Sequence, residues 1–139
     1  MTVLDADARL NLPGGMSHYA FLLSIANDSA MPRTFATVAL LVRYRTPANF
    51  IGAVDVALTA TAEPDGSRTG EVTLRLPIAL AAHQSLIGWV HFVTGPVVPD
   101  GCRIDGYAIL MQGDAGEHLA ADVTVATVRQ GSAAWDAAR

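Results

Sequence analysis

The chain has 139 residues, with 9 basic against 13 acidic side chains and a formal charge of −4. That length suits one domain with a core that needs no metal or disulfide staple, and the negative charge excludes the clustered cationic footprint used to bind nucleic acid. Hydrophobic residues make up 51% and charged residues only 16%, below the roughly 25% of an ordinary soluble domain, so the surface is short of charge.

At the N-terminus, Asp5 and Asp7 stand where a secretory signal carries a basic region, and no apolar stretch follows. Residues 1–15 therefore read as an N-terminal arm. The first strand is expected over His18–Ile25, where Tyr19, Phe21, Leu23 and Ile25 share one face. Asn27 to Pro32 breaks it. Thr37–Arg45 puts Val38, Leu40, Val42 and Tyr44 on one face and Ala39, Leu41, Arg43 and Arg45 on the other. Val54–Leu58 and Val72–Leu76 alternate in the same way around the turn residues Pro64-Asp65-Gly66.

Whether Ile78–Ala82 is a short helical turn or a bent strand continuation is left open by its pattern. Leu86–Val93 is apolar on both faces, which marks a central strand or one that also meets a partner. Ile104–Met111 and Ala121–Val128 complete seven strand candidates, divided by Pro99-Asp100-Gly101 and the Gly113–Gly116 turn. Residues 130–139 form a C-terminal tail carrying Trp135. The expected fold is all-β: an antiparallel two-sheet sandwich of about seven strands over residues 16–129, immunoglobulin-like or jelly-roll-like, with extended terminal arms. The longest apolar runs fall far short of a membrane-spanning helix.

The stretch Leu80–Phe92, with Gly88-Trp89-Val90-His91-Phe92, followed by Pro99-Asp100-Gly101, Tyr107 and the Gly113–Gly116 turn, resembles the second half of small bacterial immunoglobulin-like domains. Asn27-Asp28-Ser29 before a hydrophobic strand resembles their first half. The chain departs from antibody-type domains in its single cysteine, Cys102, and in the late position of Trp89. The resemblance implies an interaction or spacer module without catalytic residues.

Candidate chemistry is sparse. His18, His83, His91 and His118 lack metal-ligand spacing, and no nucleophile-elbow motif surrounds Ser85. Asp114 with Glu117, and Asp5 with Asp7, lack the oxygen density of a calcium loop, and Asn27-Asp28-Ser29 fits a glycosylation sequon. Tyr107 after Asp105-Gly106 suggests a tyrosine corner, a stabilising hydroxyl-to-backbone tie.

The charge deficit and the apolar outward positions point to assembly. The expectation is a non-enzymatic structural subunit of a homo-oligomer or larger particle, such as a phage, virion or secretion-apparatus component. It would sit in the cytoplasm or within that particle, bind no cofactor or metal, and associate with itself or a protein partner. Its candidate interface is Leu41, Arg43, Arg45, Trp89, His91 and Trp135. Two alternatives remain: a binding module that recognises protein, peptide or glycan through the loops at 63–70 and 95–101, and a small hydrolase using His83, Ser85 and His91.

Overall fold

The computed structural model describes residues 1–57, 72–95 and 98–130. Among them the chain forms nine strands and two single 3-10 turns, at Pro13–Gly15 and Val125–Thr127. The strands are β1 (Thr2–Leu12), β2 (Met16–Ala26), β3 (Arg33–Arg45), β4 (Ile51–Ala57), β5 (Ile78–Leu80), β6 (Ser85–Thr94), β7 (Arg103–Gly113), β8 (His118–Val123) and β9 (Arg129–Gln130). They make a two-sheet sandwich. Sheet A has the order β6-β2-β1-β9; sheet B has the order β4-β3-β7-β8, with β5 joining the early part of β3. All pairs are antiparallel except β1 with β9.

Period-two alternation decides what lies between the sheets. From β2 come Tyr19, Phe21, Leu23 and Ile25; from β3, Val38, Leu40 and Val42; from β6, Val90 and Phe92; from β7, Tyr107, Ile109 and Met111. The Tyr19 and Tyr107 rings meet edge-on with centroids 5.6 Å apart, joining sheet A to sheet B. Phe21 packs in the same edge-on manner against Phe92 and Tyr107. Burial pushes the Tyr19 phenol up to about 12, and Tyr107 is raised further by burial and by its neighbour Tyr19.

Three expectations change, and the question left open at 78–82 is decided. Residues 1–15 are largely not an arm: β1 runs inside sheet A between β2 and β9. Its inward residues are Ala6 and Ala8, whose small side chains make a weak hydrophobic signal, while the acidic residues alternate outward. The seventh strand candidate moves from 121–128 to β8 at His118–Val123, because the tight turn with Gly116 at φ +89° starts β8 earlier. Ile78–Leu80 is a short strand. Val72–Leu76 contributes only a one-residue parallel bridge, Thr73 to Trp89, beside the open edge of β6. Gly88 permits that approach: a Cβ there would lie 2.6 Å from Leu74 Cδ2 and 3.1 Å from the Val72 carbonyl oxygen. The positions of Leu58, the loop at 63–70 and Trp135 lie outside the described residues.

Asn27 fastens the crossover from β2 to β3. Its Nδ2 donates to the carbonyls of Met31 (2.8 Å) and Ala81 (3.0 Å), and its Oδ1 accepts from the backbone N and the hydroxyl of Ser29. The Asn27 backbone N also donates to the Gln84 carbonyl at 2.9 Å. This side chain, which reads as a glycosylation sequon, is instead a buried clamp between the crossover and the turn before β6. Among the described residues Tyr107 does not form the expected corner: its hydroxyl makes no hydrogen bond to a crossover, and its role is ring packing.

Candidate functional site

Each sheet also has a face turned away from the core, and the candidate residues divide between the two. On sheet A the outward row Asp7–Ala20–His91 runs across β1, β2 and β6, with Asp5–Leu22–Trp89 beside it. This face is closed. Asp7 is 1%, Trp89 2% and His91 5% exposed, and Ala20 and Trp89 form a second small hydrophobic cluster with Leu22 packed against it. The Trp89 and His91 rings lie nearly parallel, 25° apart with centroids at 6.5 Å. Asp5, Asp7, Arg9, His18, Trp89 and His91 all have interaction partners.

Ala20 explains how two polar side chains fit over this face. Neighbouring strands lie about 4.8 Å apart, so Asp7 and His91 flank a methyl floor about 10 Å wide. Imidazole and carboxylate are the groups from which a general base is made, but here both are closed off from solvent, and a base must reach its substrate. Among the described residues no group of three His, Cys, Asp or Glu side chains is placed to hold a metal ion.

The hydrolase constellation is not brought together. His83 lies in the exposed turn before β6 at φ +59°, and Ser85 opens the strand opposite Ala26. His91 is six residues further along that strand, roughly 20 Å away at strand rise.

Sheet B turns the opposite character outward. Its rows are Asp55–Leu41–Ala108–Asp122 and, next to it, Ala53–Arg43–Gly106. Beyond Leu41 comes an apolar row, Ala39–Leu110–Ala120, with Leu110 37% exposed. Arg43 Nη2 donates to Asp122 Oδ1 at 2.8 Å, and a bulge at Asp105 sets that carboxylate against Arg45. At the head of β4, Phe50 and Ile51 are 72% and 60% exposed. Leu41, Arg43 and Arg45 therefore share one accessible face, while Trp89 and His91 are buried on the opposite side of the sandwich. The six-residue candidate interface is not one surface.

Near that face, Arg33 on β3 pairs with Glu117 after the β7 turn. The Glu117 carboxyl is held below its usual range by its own backbone amide and by Arg33, against the opposing effect of desolvation. Where the β3–β4 and pre-β7 turns meet, Arg45, Thr46, Pro47, Asn49, Gly101, Cys102 and Arg103 line a cleft of about 340 Å³. No local motif marks it, since its two walls are far apart in the chain and meet only through the β3–β7 pairing.

No protein-family model and no curated protein sequence matches the chain. Solved structures similar to parts of it include a structural-genomics target, SoR45, at 10% identity and TM-score 0.39, covering 86% of this chain and 78% of that one. A Bordetella pertussis protein with the provisional name ApaA aligns at 9% identity and TM-score 0.29, over 86% and 85% of the two chains. A Vibrio harveyi GH20 exo-β-N-acetylglucosaminidase aligns at 15% identity and TM-score 0.30, over 92% of this chain but 18% of the enzyme. Likeness at these scores bears on neither the topology nor the role of this chain. No helix among the described residues is long and apolar enough to cross a membrane, which leaves strand-based insertion unaddressed.

Proposed function

We propose that the chain is a non-enzymatic, immunoglobulin-like interaction module that associates with further copies of itself, as a subunit of a homo-oligomer or larger particle, through the outer face of sheet B. The observation that carries this reading is the row Ala39–Leu110–Ala120 beside Leu41, an apolar strip on an accessible sheet face. An antiparallel sheet with one solvated face ordinarily alternates apolar inward with polar outward, and apolar residues in contiguous outward positions mark interfaces.

The charge pattern favours a second copy as the occupant. Carboxylates of Asp55 and Asp122 occupy the row beside Arg43, so the face carries both signs of charge next to the apolar strip and a second copy can answer either sign. A patch of both signs around an apolar strip complements itself.

The test is absolute mass by light scattering on a size-exclusion column, at two concentrations and two salt levels. The reading requires a multimer that persists on moderate dilution and that Leu110→Glu converts to monomer with the fold intact by circular dichroism. A wild-type chain that is monomeric at every concentration removes self-association.

A further inference from the structure

The cleft at the turn end of sheet B has a charge arrangement that the packing does not require. Arg45 and Arg103 stand directly opposite each other in the β3–β7 ladder. Like charges in that position repel, so a fold that gained nothing from the pair would place a carboxylate or a neutral residue at one of the two sites. Among the described residues Asp105 answers only Arg45: its Oδ1 and Oδ2 accept from Nε at 3.3 Å and Nη2 at 3.4 Å. Asn49 Oδ1 accepts from Nη1 of the same arginine at 3.0 Å.

Arg45 is therefore fixed by three of its five N–H donors and keeps two for a ligand. Arg103 is exposed and, among the described residues, forms no ion pair. The turns on either side are already closed by their own hydrogen bonds. Phe50 N donates to the Thr46 hydroxyl, Asn49 N to the Thr46 carbonyl, and Cys102 N to the Pro99 carbonyl, so both walls are set before a ligand arrives. Asp100 belongs to the second turn but does not line the cleft. The lining thus carries two guanidinium groups and no carboxylate.

We propose that this cleft binds a small molecule through an oxyanion group, carboxylate or phosphate, held between the two remaining donors of Arg45 and the open fork of Arg103. The planar guanidinium presents paired donors at the spacing of two such oxygens, and a volume near 340 Å³ suits a small metabolite rather than a polymer. The site is separate from the self-association proposed above, which uses the middle of the face.

Cys102 gives the site a reporter, because it lines the cleft and is the single cysteine of the chain. The experiment compares the rate at which the folded, full-length protein reacts with Ellman's reagent, a dianion, and with neutral iodoacetamide. It is run at fixed ionic strength, with inorganic phosphate, acetate or chloride added. The expected result is a preference for the anionic reagent that falls several-fold in Arg103→Gln and is partly kept in Arg103→Lys. Phosphate should protect Cys102 with saturation at about 1 mM in wild type and not in Arg103→Gln. Protection by phosphate alone assigns a phosphate ligand, and equal protection by acetate assigns a carboxylate. An unchanged reagent preference in Arg103→Gln, or protection by phosphate and acetate no greater than by chloride, overturns the proposal. Because Arg103 is exposed, the variant should keep the wild-type melting temperature, which separates loss of the site from loss of the fold.

Discussion

Sheets A and B each turn one face toward the core and one away from it, yet the away-facing residues of A are buried while those of B remain half open. On A, Trp89, His91, Asp7 and Ala20 sit in adjacent rows as closed as the core itself. On B, Leu41, Arg43 and Leu110 are partly exposed around the small buried Ala108 and are bordered by an ion pair. The difference separates stability from association. A closed outer face adds to the folding free energy of the chain, whereas an open one with apolar content has that burial still to gain from a partner.

The largest effect should come from emptying the closed face. Trp89→Ala removes a buried indole from the cluster with Ala20 and Leu22 and should cost about 3–5 kcal/mol, measured by urea denaturation with the slope compared to wild type. A cost no larger than that of a surface substitution would show that the two faces are alike, and the comparison would collapse.

Alkaline titration probes what lies between the faces. The phenols of Tyr19 and Tyr107 are raised in the folded chain, so the folded state holds their protons more tightly than the unfolded state does. Their contribution is fully present below the ordinary phenol value of about 10 and is lost as pH rises toward 12 and beyond. Of the chain's three tyrosines, two should therefore show phenolate absorbance only together with loss of the circular dichroism signal. Phenolate that forms well before unfolding would mean that water reaches the ring pair.

These elements differ in how far the sequence revealed them, and the reason is physical. β2 was legible because Tyr19, Phe21, Leu23 and Ile25 make a strong period-two signal with large side chains. β1 has the same period, but its inward residues are alanines and its outward residues are acidic, so the pattern looked like a polar arm. The sequence placed Trp89 and His91 on a second apolar face of β6 without showing whether a partner or the chain itself closes it, because burial on an outer face depends on distant residues. The cleft was invisible for a related reason: Arg45 and Arg103 become neighbours only through strand register. Local alternation reports which residues share a face; it does not report what covers that face.

Filling the closed face should cost less than emptying it. Ala20 is fully buried between Asp7 and His91, so Ala20→Leu inserts volume into an already packed row and should destabilise by about 1–3 kcal/mol. The same change at Ala120, exposed in the apolar row of sheet B, should stay within about 0.5 kcal/mol in the monomer. Paired denaturation curves for the two variants sharpen the contrast, because the chemistry of the substitution is identical and only the face differs.

On the open face, the Arg43–Asp122 pair should contribute about 0–1 kcal/mol, since Asp122 is largely exposed and both charges are screened. A double-mutant cycle with Arg43→Ala and Asp122→Ala at low and high salt measures it. A coupling well above that range, and insensitive to salt, would mean that the pair is covered.

The smallest effect on stability should carry the largest effect on assembly. Leu110→Glu places a charge on a side chain that is 37% exposed, so the monomer should lose only about 0.5 kcal/mol, while self-association through the apolar row should be abolished. In an isologous contact each copy brings the new carboxylate to the same patch, so one substitution introduces two buried charges per dimer. Melting temperature and solution mass should therefore respond oppositely in the two faces' variants: Trp89→Ala lowers the first, and Leu110→Glu changes the second. If Leu110→Glu instead lowers the melting temperature of a chain that is already monomeric, the outer face of sheet B is covered from within the chain, and the division between a stabilising face and an associating face is wrong.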